Sequence, residues 1–252
     1  MASPTATKRK AGGLVENIKT IVYAGLIAVA VRTFAFEPFN IPSGSMIPTL
    51  LVGDYIFVSK FSYGYSRFSF PFSPPLFDGR IFGSTPHYGD VVVFKLPRDT
   101  SVDYIKRIVG LPGDRVQVQH GMLSINGQEV PRTPAPDPTC VASDEGPPVV
   151  GRRYIETLPG GRAHEICKLY DQGGLNDTEV YVVPPGSVFA MGDNRDNSQD
   201  SRVLSAVGYV PLENVVGRAE IIWFSIDSQA PWWEFWEWPF EIRWSRLFTG
   251  IT

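Results

Sequence analysis

Short apolar runs separated by proline and glycine turns dominate the chain after residue 36. The sequence holds 22 prolines and 24 glycines, and no amphipathic helix of useful length interrupts these runs. Proline cannot donate to a helix or to a central strand, and glycine favours turns. The pattern therefore predicts a mainly β protein, with a twisted, partly closed antiparallel sheet as its main domain.

The strands are predicted from alternating or continuous apolar runs bounded by turn residues. Asn126 and Gly127 form the strongest short hairpin signal between two of them. The main predicted strands cover residues 90–96, 103–109, 115–119, 122–125, 128–130, 187–191 and 214–225. Together they place the main β-domain at residues 37–130 and 186–252.

Residues 131–185 differ from the rest, being rich in proline, glycine and aspartate and containing both cysteines, Cys140 and Cys167. We interpret this stretch (hereafter the insert) as an inserted small β-domain with strands near 153–158, 164–170 and 179–183. On their number alone, the cysteines are as compatible with one disulfide as with two inert thiols.

The N-terminus combines a polar, basic stretch at residues 1–13 with an apolar stretch at 14–36. Its uncharged part, residues 20–31, is short for a spanning helix, but Arg32 can extend the span by reaching the headgroups. A cleaved signal peptide is the alternative, since Ala28 and Ala30 give a small-x-small pattern. In either case the basic end stays in the cytoplasm and the remainder lies outside.

Two aromatic segments suggest contact with the membrane surface. Residues 61–83 (the aromatic loop) alternate aromatics with serine, proline and glycine. The C-terminal tail is rich in tryptophan, which prefers the headgroup level; its tryptophans are Trp232, Trp233, Trp236, Trp238 and Trp244. The alternatives are a buried hydrophobic loop and a plug for the β-domain. We therefore expect membrane lipid as a partner.

Charge and residue pattern argue against two other classes of ligand. The formal net charge of −3 makes a nucleic-acid partner improbable. No Cys-x-x-Cys or histidine-rich cluster suggests a metal. We expect neither a metal nor another cofactor.

Ser45 is the candidate nucleophile, although a plain Ser/Gly/Pro loop is the simpler interpretation of its surroundings. Pro42 and Pro48 flank it, which predicts a rigid, extended, exposed turn over residues 41–49. A serine hydroxyl needs a base to remove its proton. The three histidines, His87, His120 and His164, lie in no motif, and a G-x-S-x-G elbow is absent. The base is therefore expected to be a lysine.

Lys106 is the candidate base, because it lies within an apolar strand where burial would favour the neutral amine. Strand alternation puts Tyr104, Lys106 and Ile108 on one face and Arg107 on the other. The pattern leaves open which face is buried. A snorkelling lysine on an edge strand is the alternative.

Three stretches resemble the conserved motifs of the bacterial type I signal peptidases, in the same order. They are IPSGSMIPTLLVGD at 41–54 (box one), YIKRIVGLPGD at 104–114 (box two) and MGDNRDNSQDSR at 191–202 (box three). The resemblance implies Ser45 as nucleophile and Lys106 as general base. It implies that Ser43 and the Ser45 N–H form an oxyanion hole, that Ser198 orients Lys106, and that Asp200 and Arg202 hold box three in place.

The same resemblance implies the substrate and the location. The substrate would be a secretory preprotein whose signal peptide binds as an extended chain and is cut after small residues at positions −1 and −3. The implied pocket residues are Phe39, Ile41, Met46, Leu50, Ile56, Tyr104 and Ile105. The enzyme would cross the bacterial inner membrane once, with its catalytic domain on the extracytoplasmic side; some relatives have two spans.

Two further functions are compatible with parts of this pattern. A self-cleaving repressor uses the same Ser/Lys chemistry, but it carries a DNA-binding helix-turn-helix and no membrane span, the reverse of residues 1–40. A catalytically inactive β-scaffold would bind extended peptides without cutting them. The combination of Ser45, Lys106 and Ser198 argues against that scaffold.

Overall fold

The structure, a computed structural model, describes residues 13–142, 147–227 and 238–252. Within these ranges strands predominate and two α-helices occur, α1 at Gly13–Phe34 and α2 at Trp238–Glu241. The strands are β1 Phe36–Asn40, β2 Asp54–Ser59, β3 Val91–Leu96, β4 Asp99–Gly110, β5 Arg115–Gln119, β6 Met122–Ile125, β7 Gln128–Glu129, β8 Arg132–Ala142, β9 Val149–Thr157, β10 Ala163–Lys168, β11 Tyr181–Val182, β12 Ser187–Met191, β13 Val210–Pro211, β14 Val215–Ser225 and β15 Thr249–Gly250.

The strands form three sheets, and their pairings are antiparallel. The largest has the order β1-β2-β14-β3-β4-β12-β13, with β15 pairing to β14. A second sheet has the order β10-β9-β8, and a third has the order β11-β5-β6-β7. The prediction of a mainly β, antiparallel protein is thus confirmed.

Alternating apolar residues in neighbouring strands build the core around the large sheet. Val91 and Val93 of β3 pack in one cluster with Ile56 and Val58 of β2. Val92 and Phe94, which alternate with them, pack in a second cluster on Ile108 of β4. Both faces of β3 are therefore buried, which explains its nearly continuous apolar sequence.

Most predicted strands occur at or near their predicted positions, whereas β1, β8, β13 and β15 were not predicted. β1 starts at Phe36, a residue that the sequence assigned to the membrane anchor. Three of the unpredicted strands, β1, β8 and β13, contain proline, and each lies at the end of its sheet's order. Proline is tolerated there because an edge strand leaves one side of its backbone unpaired.

Helix α1 carries the apolar N-terminal stretch and is largely exposed. Residues Glu16–Phe34 are long and apolar enough to cross a membrane, and only 6% of this span is buried against the rest of the chain. Exposed apolar side chains such as Ile21 and Leu26 belong in lipid rather than in water. The helix is consistent with a membrane anchor.

The insert contributes the β8–β9–β10 sheet, while β11 near its end pairs with β5 outside it. Cys140 of β8 and Cys167 of β10 form a disulfide across 27 residues of sequence. The alternative of two inert thiols is therefore wrong. The assignment of the insert as a separate domain stays a prediction.

The aromatic loop has both buried and exposed rings. Tyr63 and Phe68 are buried, whereas the side chains of Phe72 and Phe82 are almost fully exposed. Of the tryptophan-rich tail, Trp244 is described and exposed. Trp232, Trp233 and Trp236 lie outside the described residues. Membrane contact by these segments remains a prediction.

Candidate active site

Ser45 lies in one turn of 3₁₀-helix, Gly44–Met46, and is only 7% exposed. The prediction of an extended, exposed turn was wrong in both respects. Box three causes the burial, because the Asn194 N–H donates to the Ser45 carbonyl at 3.1 Å. The Asn194 side chain also donates to the Gly44 carbonyl at 3.0 Å. Hydrogen bonds from Asn194, which is distant in sequence, thus fix the turn that carries the Ser45 hydroxyl.

Lys106 reaches Ser45 directly. Its Nζ donates to the Ser45 Oγ at 2.8 Å and to the Ile105 carbonyl at 2.8 Å, and lies 5.3 Å from the centre of the Tyr104 ring. The residue is 4% exposed, so the alternative of a snorkelling edge lysine is wrong. β4 is buried on both faces at this point, because Arg107 is also inaccessible. The sequence-predicted nucleophile and base are therefore in hydrogen-bond contact.

Asp200 and Arg202 form an ion pair within box three, with the Arg202 Nη2 2.8 Å from the Asp200 Oδ2. The same carboxylate accepts the Gly192 N–H at 3.0 Å, and Arg202 donates to the Arg195 carbonyl at 2.7 Å. These bonds close the loop upon itself. The pairing expected from the sequence is formed.

Gly192 is required by a close approach between box three and box one. A Cβ at this position would lie 2.2 Å from the Ser198 Oγ and 2.6 Å from the Ser45 carbonyl oxygen. Real Cβ atoms do not come that close to backbone, so a larger residue would push the loop away from Ser45.

Ser198 and Ser43 lie near Ser45 and Lys106, but their surroundings differ. The Ser198 Oγ is buried, and its hydroxyl is close enough to the Asp200 carboxylate to help lower the pKa of that group. The Ser43 side chain is exposed, and its Oγ lies 3.3 Å from the Ser45 Oγ. The roles assigned to both serines stay predictions.

Six of the seven predicted pocket residues belong to one apolar cluster. Phe39 and Ile105 lie at its partly exposed margin, and the buried members are Ile41, Met46, Leu50 and Ile56. The last three have no accessible surface, so they can only support the floor of a pocket. Tyr104 packs in a different cluster and donates its hydroxyl to Gln199 at 2.9 Å.

Sequence analysis missed the partner of Arg107. Its guanidinium donates to both oxygens of Asp193 in box three, at 2.8 and 2.7 Å, and to the Gly89 carbonyl at 2.8 Å. Burial alone would raise the pKa of Asp193, but the charge and hydrogen bonds of Arg107 lower it below its usual value. A signal was available, since both residues are charged and lie inside the boxes.

The insert supplies a second buried group that sequence analysis missed. Glu156 of β9 pairs through both oxygens with Arg195 of box three. The backbone of Cys167 donates to the Asp193 carbonyl at 2.9 Å and accepts from the Arg195 N–H at 3.0 Å. The insert therefore holds box three beside Ser45 and Lys106.

His164 lies beside Glu156 and Asp193, and its side chain is fully buried. Its Nε2 lies 3.7 Å from Glu156 and 3.9 Å from Asp193, and neither ring nitrogen has a hydrogen-bond partner among the described residues. Burial, and then the positive charge of Arg107, lower the pKa of His164 from 6.5 to about 4. The imidazole is therefore neutral at physiological pH.

Comparison with known proteins places this site in a family of peptidases. The model of the family "Signal peptidase, peptidase S26" matches residues 14–224. A signal peptidase I from Rickettsia canadensis (strain McKiel) is 43% identical over 87% of this chain and 82% of its own length. Another, from Rickettsia typhi (strain ATCC VR-144 / Wilmington), is 41% identical over 94% of this chain and 93% of its own.

A solved signal peptidase I from Enterococcus faecalis V583 is 26% identical, over 54% of this chain and 97% of the other. Its TM-score of 0.32 is too low for a comparison of the two folds. The family model and the two sequence comparisons define a serine-type peptidase. The chain belongs to the signal peptidase family, peptidase S26.

Proposed function

We propose that this chain removes N-terminal signal peptides from exported preproteins, with Ser45 as nucleophile and Lys106 as general base. The observation that carries the proposal is the 2.8 Å contact between the Lys106 Nζ and the Ser45 Oγ, with both residues buried. Geometry of this kind is what an activated serine requires. Family membership supports the substrate, because the curated relatives are signal peptidases.

In the proposed reaction, a neutral Lys106 accepts the proton of the Ser45 hydroxyl as the oxygen attacks the scissile carbonyl. Burial favours the neutral amine because the charged form loses its hydration. Lys106 then gives the proton to the leaving amine, and water hydrolyses the acyl-enzyme in a second step. The Ser45 N–H and the Ser43 hydroxyl would donate to the oxyanion that develops on the substrate.

Support by the surrounding residues follows the same scheme. The Ser198 hydroxyl is buried beside Gly192. We propose that it orients Lys106 through a hydrogen bond that forms when substrate binds. Asp200 and Arg202 keep box three in the position that this bond needs.

The substrate would bind as an extended strand beside box one and β4. Pairing of β12 with β4 ends at Met191 and Arg107, so Tyr104 and Ile105 lie beyond its end. Phe39 and Ile105 would line shallow pockets over the buried floor formed by Ile41, Met46, Leu50 and Ile56. Such pockets exclude large side chains by overlap, which would give cleavage after small residues at −1 and −3.

Helix α1 supports a location in the membrane. We assign the chain to the bacterial inner membrane, crossed once by α1, with the catalytic β-domain on the extracytoplasmic side. There the dyad would meet signal peptides as they emerge from the bilayer. Membrane lipid is then a second partner beside the preprotein.

The test is incubation of the purified full chain with a preprotein, followed by mass measurement of both product ends. We expect one cut after a small residue, and no cut with Ser45→Ala or Lys106→Ala protein that retains its circular dichroism spectrum. Processing should rise with pH as more Lys106 is neutral. Full processing by either folded variant would exclude the Ser/Lys mechanism.

A further inference from the structure

A cleft of about 830 Å³ opens where the anchor helix meets the β-domain. Val29 and Arg32 of α1 form one wall, and Phe39 and Lys60 line the β-domain side. Arg32 lies in the last turn of α1. If α1 spans the bilayer, the cleft therefore lies at the level of the lipid headgroups.

The cleft carries an excess of positive charge. Four basic residues line it, Arg32, Lys60, Arg67 and Lys95, against two acidic residues, Glu37 and Asp103. Glu37 pairs with both Arg32 and Lys60, at 2.8 Å each, and Lys95 pairs with Asp103 at 2.9 Å. The carboxylates of the cleft are thus engaged by three of the four cations.

Arg67 is the fourth cation and forms no ion pair within the described ranges. Its Nε is buried and lacks a hydrogen-bond partner there. The guanidinium carbon lies 4.6 Å from the centre of the Phe68 ring, which holds the group against an aromatic face. A planar guanidinium with unused donors is the side chain best suited to bind a phosphate through two hydrogen bonds.

Apolar side chains continue from this cation toward the outside. Phe70 and Phe72 line the same cleft, and the side chain of Phe72 is fully exposed. Aromatic rings at a membrane interface contact acyl chains next to the headgroups. The arrangement offers a charged group to a phosphate and an apolar surface to the chains attached to it.

We propose that this cleft binds the headgroup phosphate of an anionic phospholipid, with Arg67 as its main ligand and Arg32 as a second. The lipid would connect α1, through Arg32, with the aromatic loop, through Arg67, and so fix the β-domain on the membrane. The binding is independent of the Ser/Lys chemistry. A free phosphate would use Arg67 alone and gain nothing from Phe72.

The test is native mass spectrometry of the delipidated full chain in detergent. It is titrated separately with short-chain phosphatidylglycerol, short-chain phosphatidylcholine and glycerol phosphate. We expect the wild type to bind phosphatidylglycerol in preference to the other two. Arg67→Gln should weaken that binding about ten-fold, because a charge-assisted pair is lost. Arg115→Gln, which removes an exposed arginine from the β5 hairpin, should leave it unchanged.

Three outcomes would overturn the proposal. One is unchanged phosphatidylglycerol affinity in folded Arg67→Gln protein, and another is equal wild-type affinity for the two lipids. The third is equal affinity for glycerol phosphate, which would indicate a site for soluble anions. Arg67→Lys provides a second variant that keeps the charge but loses the bidentate geometry. An intermediate affinity is expected for it, and a wild-type affinity would exclude two-bond recognition.

Discussion

Lys106 and Arg107 are consecutive residues of β4, both cationic in their ordinary state and both buried, yet their surroundings differ. Arg107 donates to both oxygens of Asp193. Lys106 donates to the Ser45 hydroxyl and to the Ile105 carbonyl. A guanidinium stays charged at any accessible pH, whereas a buried amine can lose its proton. We infer that Arg107 holds box three in place, and that Lys106 does the chemistry.

Substitution of Lys106 separates these roles most strongly. Lys106→Met should lower the rate of preprotein processing at least about 10²- to 10⁴-fold, since the general base is lost. Its stability should change little, because an apolar side chain of similar volume replaces a buried polar one. Initial cleavage rates and urea unfolding of the same preparation measure both quantities. A folded Lys106→Met enzyme with near-normal rates would break the comparison.

Removal of the acid opposite Arg107 should show the reverse pattern. Asp193→Asn leaves a buried guanidinium without its counter-ion, which should lower the free energy of unfolding by about 3–5 kcal/mol. Asp103→Asn is the matched control, since Asp103 pairs with Lys95 near the surface and should contribute less than about 1 kcal/mol. Urea titration compares the two. Equal effects would mean that burial of the Arg107 pair adds nothing.

The disulfide sharpens the comparison, because Cys167 touches box three through its backbone. Replacing both cysteines by alanine opens a loop of 27 residues and should cost about 3–4 kcal/mol by chain entropy. Thermal unfolding with and without reductant provides the measurement. The protein that remains folded should still process preprotein, since neither cysteine belongs to the proposed Ser45–Lys106 pair. Loss of activity without loss of stability would indicate that the disulfide supports catalysis rather than stability.

His164 gives the smallest effect and tests the surroundings of Asp193 through pH. Its folded pKa of about 4 lies below the 6.5 of the unfolded chain, so the unfolded state binds more protons between these values. The contribution of neutral His164 to the free energy of unfolding is therefore complete above pH 6.5. It falls by about 3 kcal/mol as the pH drops to 4. His164→Gln should lose less stability than the wild type between pH 7.5 and 4. Urea unfolding at the two pH values measures both losses. An equal loss of stability in the wild type and in His164→Gln would contradict the assignment.

The sequence predicted the residues of the dyad but not how they are held. Ser45, Lys106 and the Asp200–Arg202 pair lie in contiguous motifs, which can be recognised without the fold. Glu156 and His164 lie in the insert, where charged residues at strand positions look like ordinary surface. They reach the site through the backbone bonds between Cys167 and box three and through the ion pair of Glu156 with Arg195. Burial of Ser45 was missed for the same reason, because it depends on Asn194, about 150 residues away.

Only Ala35 stands between the last residue of α1 and the first residue of β1. That junction is tied down, since the Lys60 N–H donates to the Ala35 carbonyl and the Tyr65 hydroxyl donates to the Phe34 carbonyl. If α1 spans the bilayer, this rigid junction would therefore fix the distance between Ser45 and the membrane surface. Lengthening the junction by a few glycines should move the cut along a preprotein, toward residues farther from its hydrophobic segment.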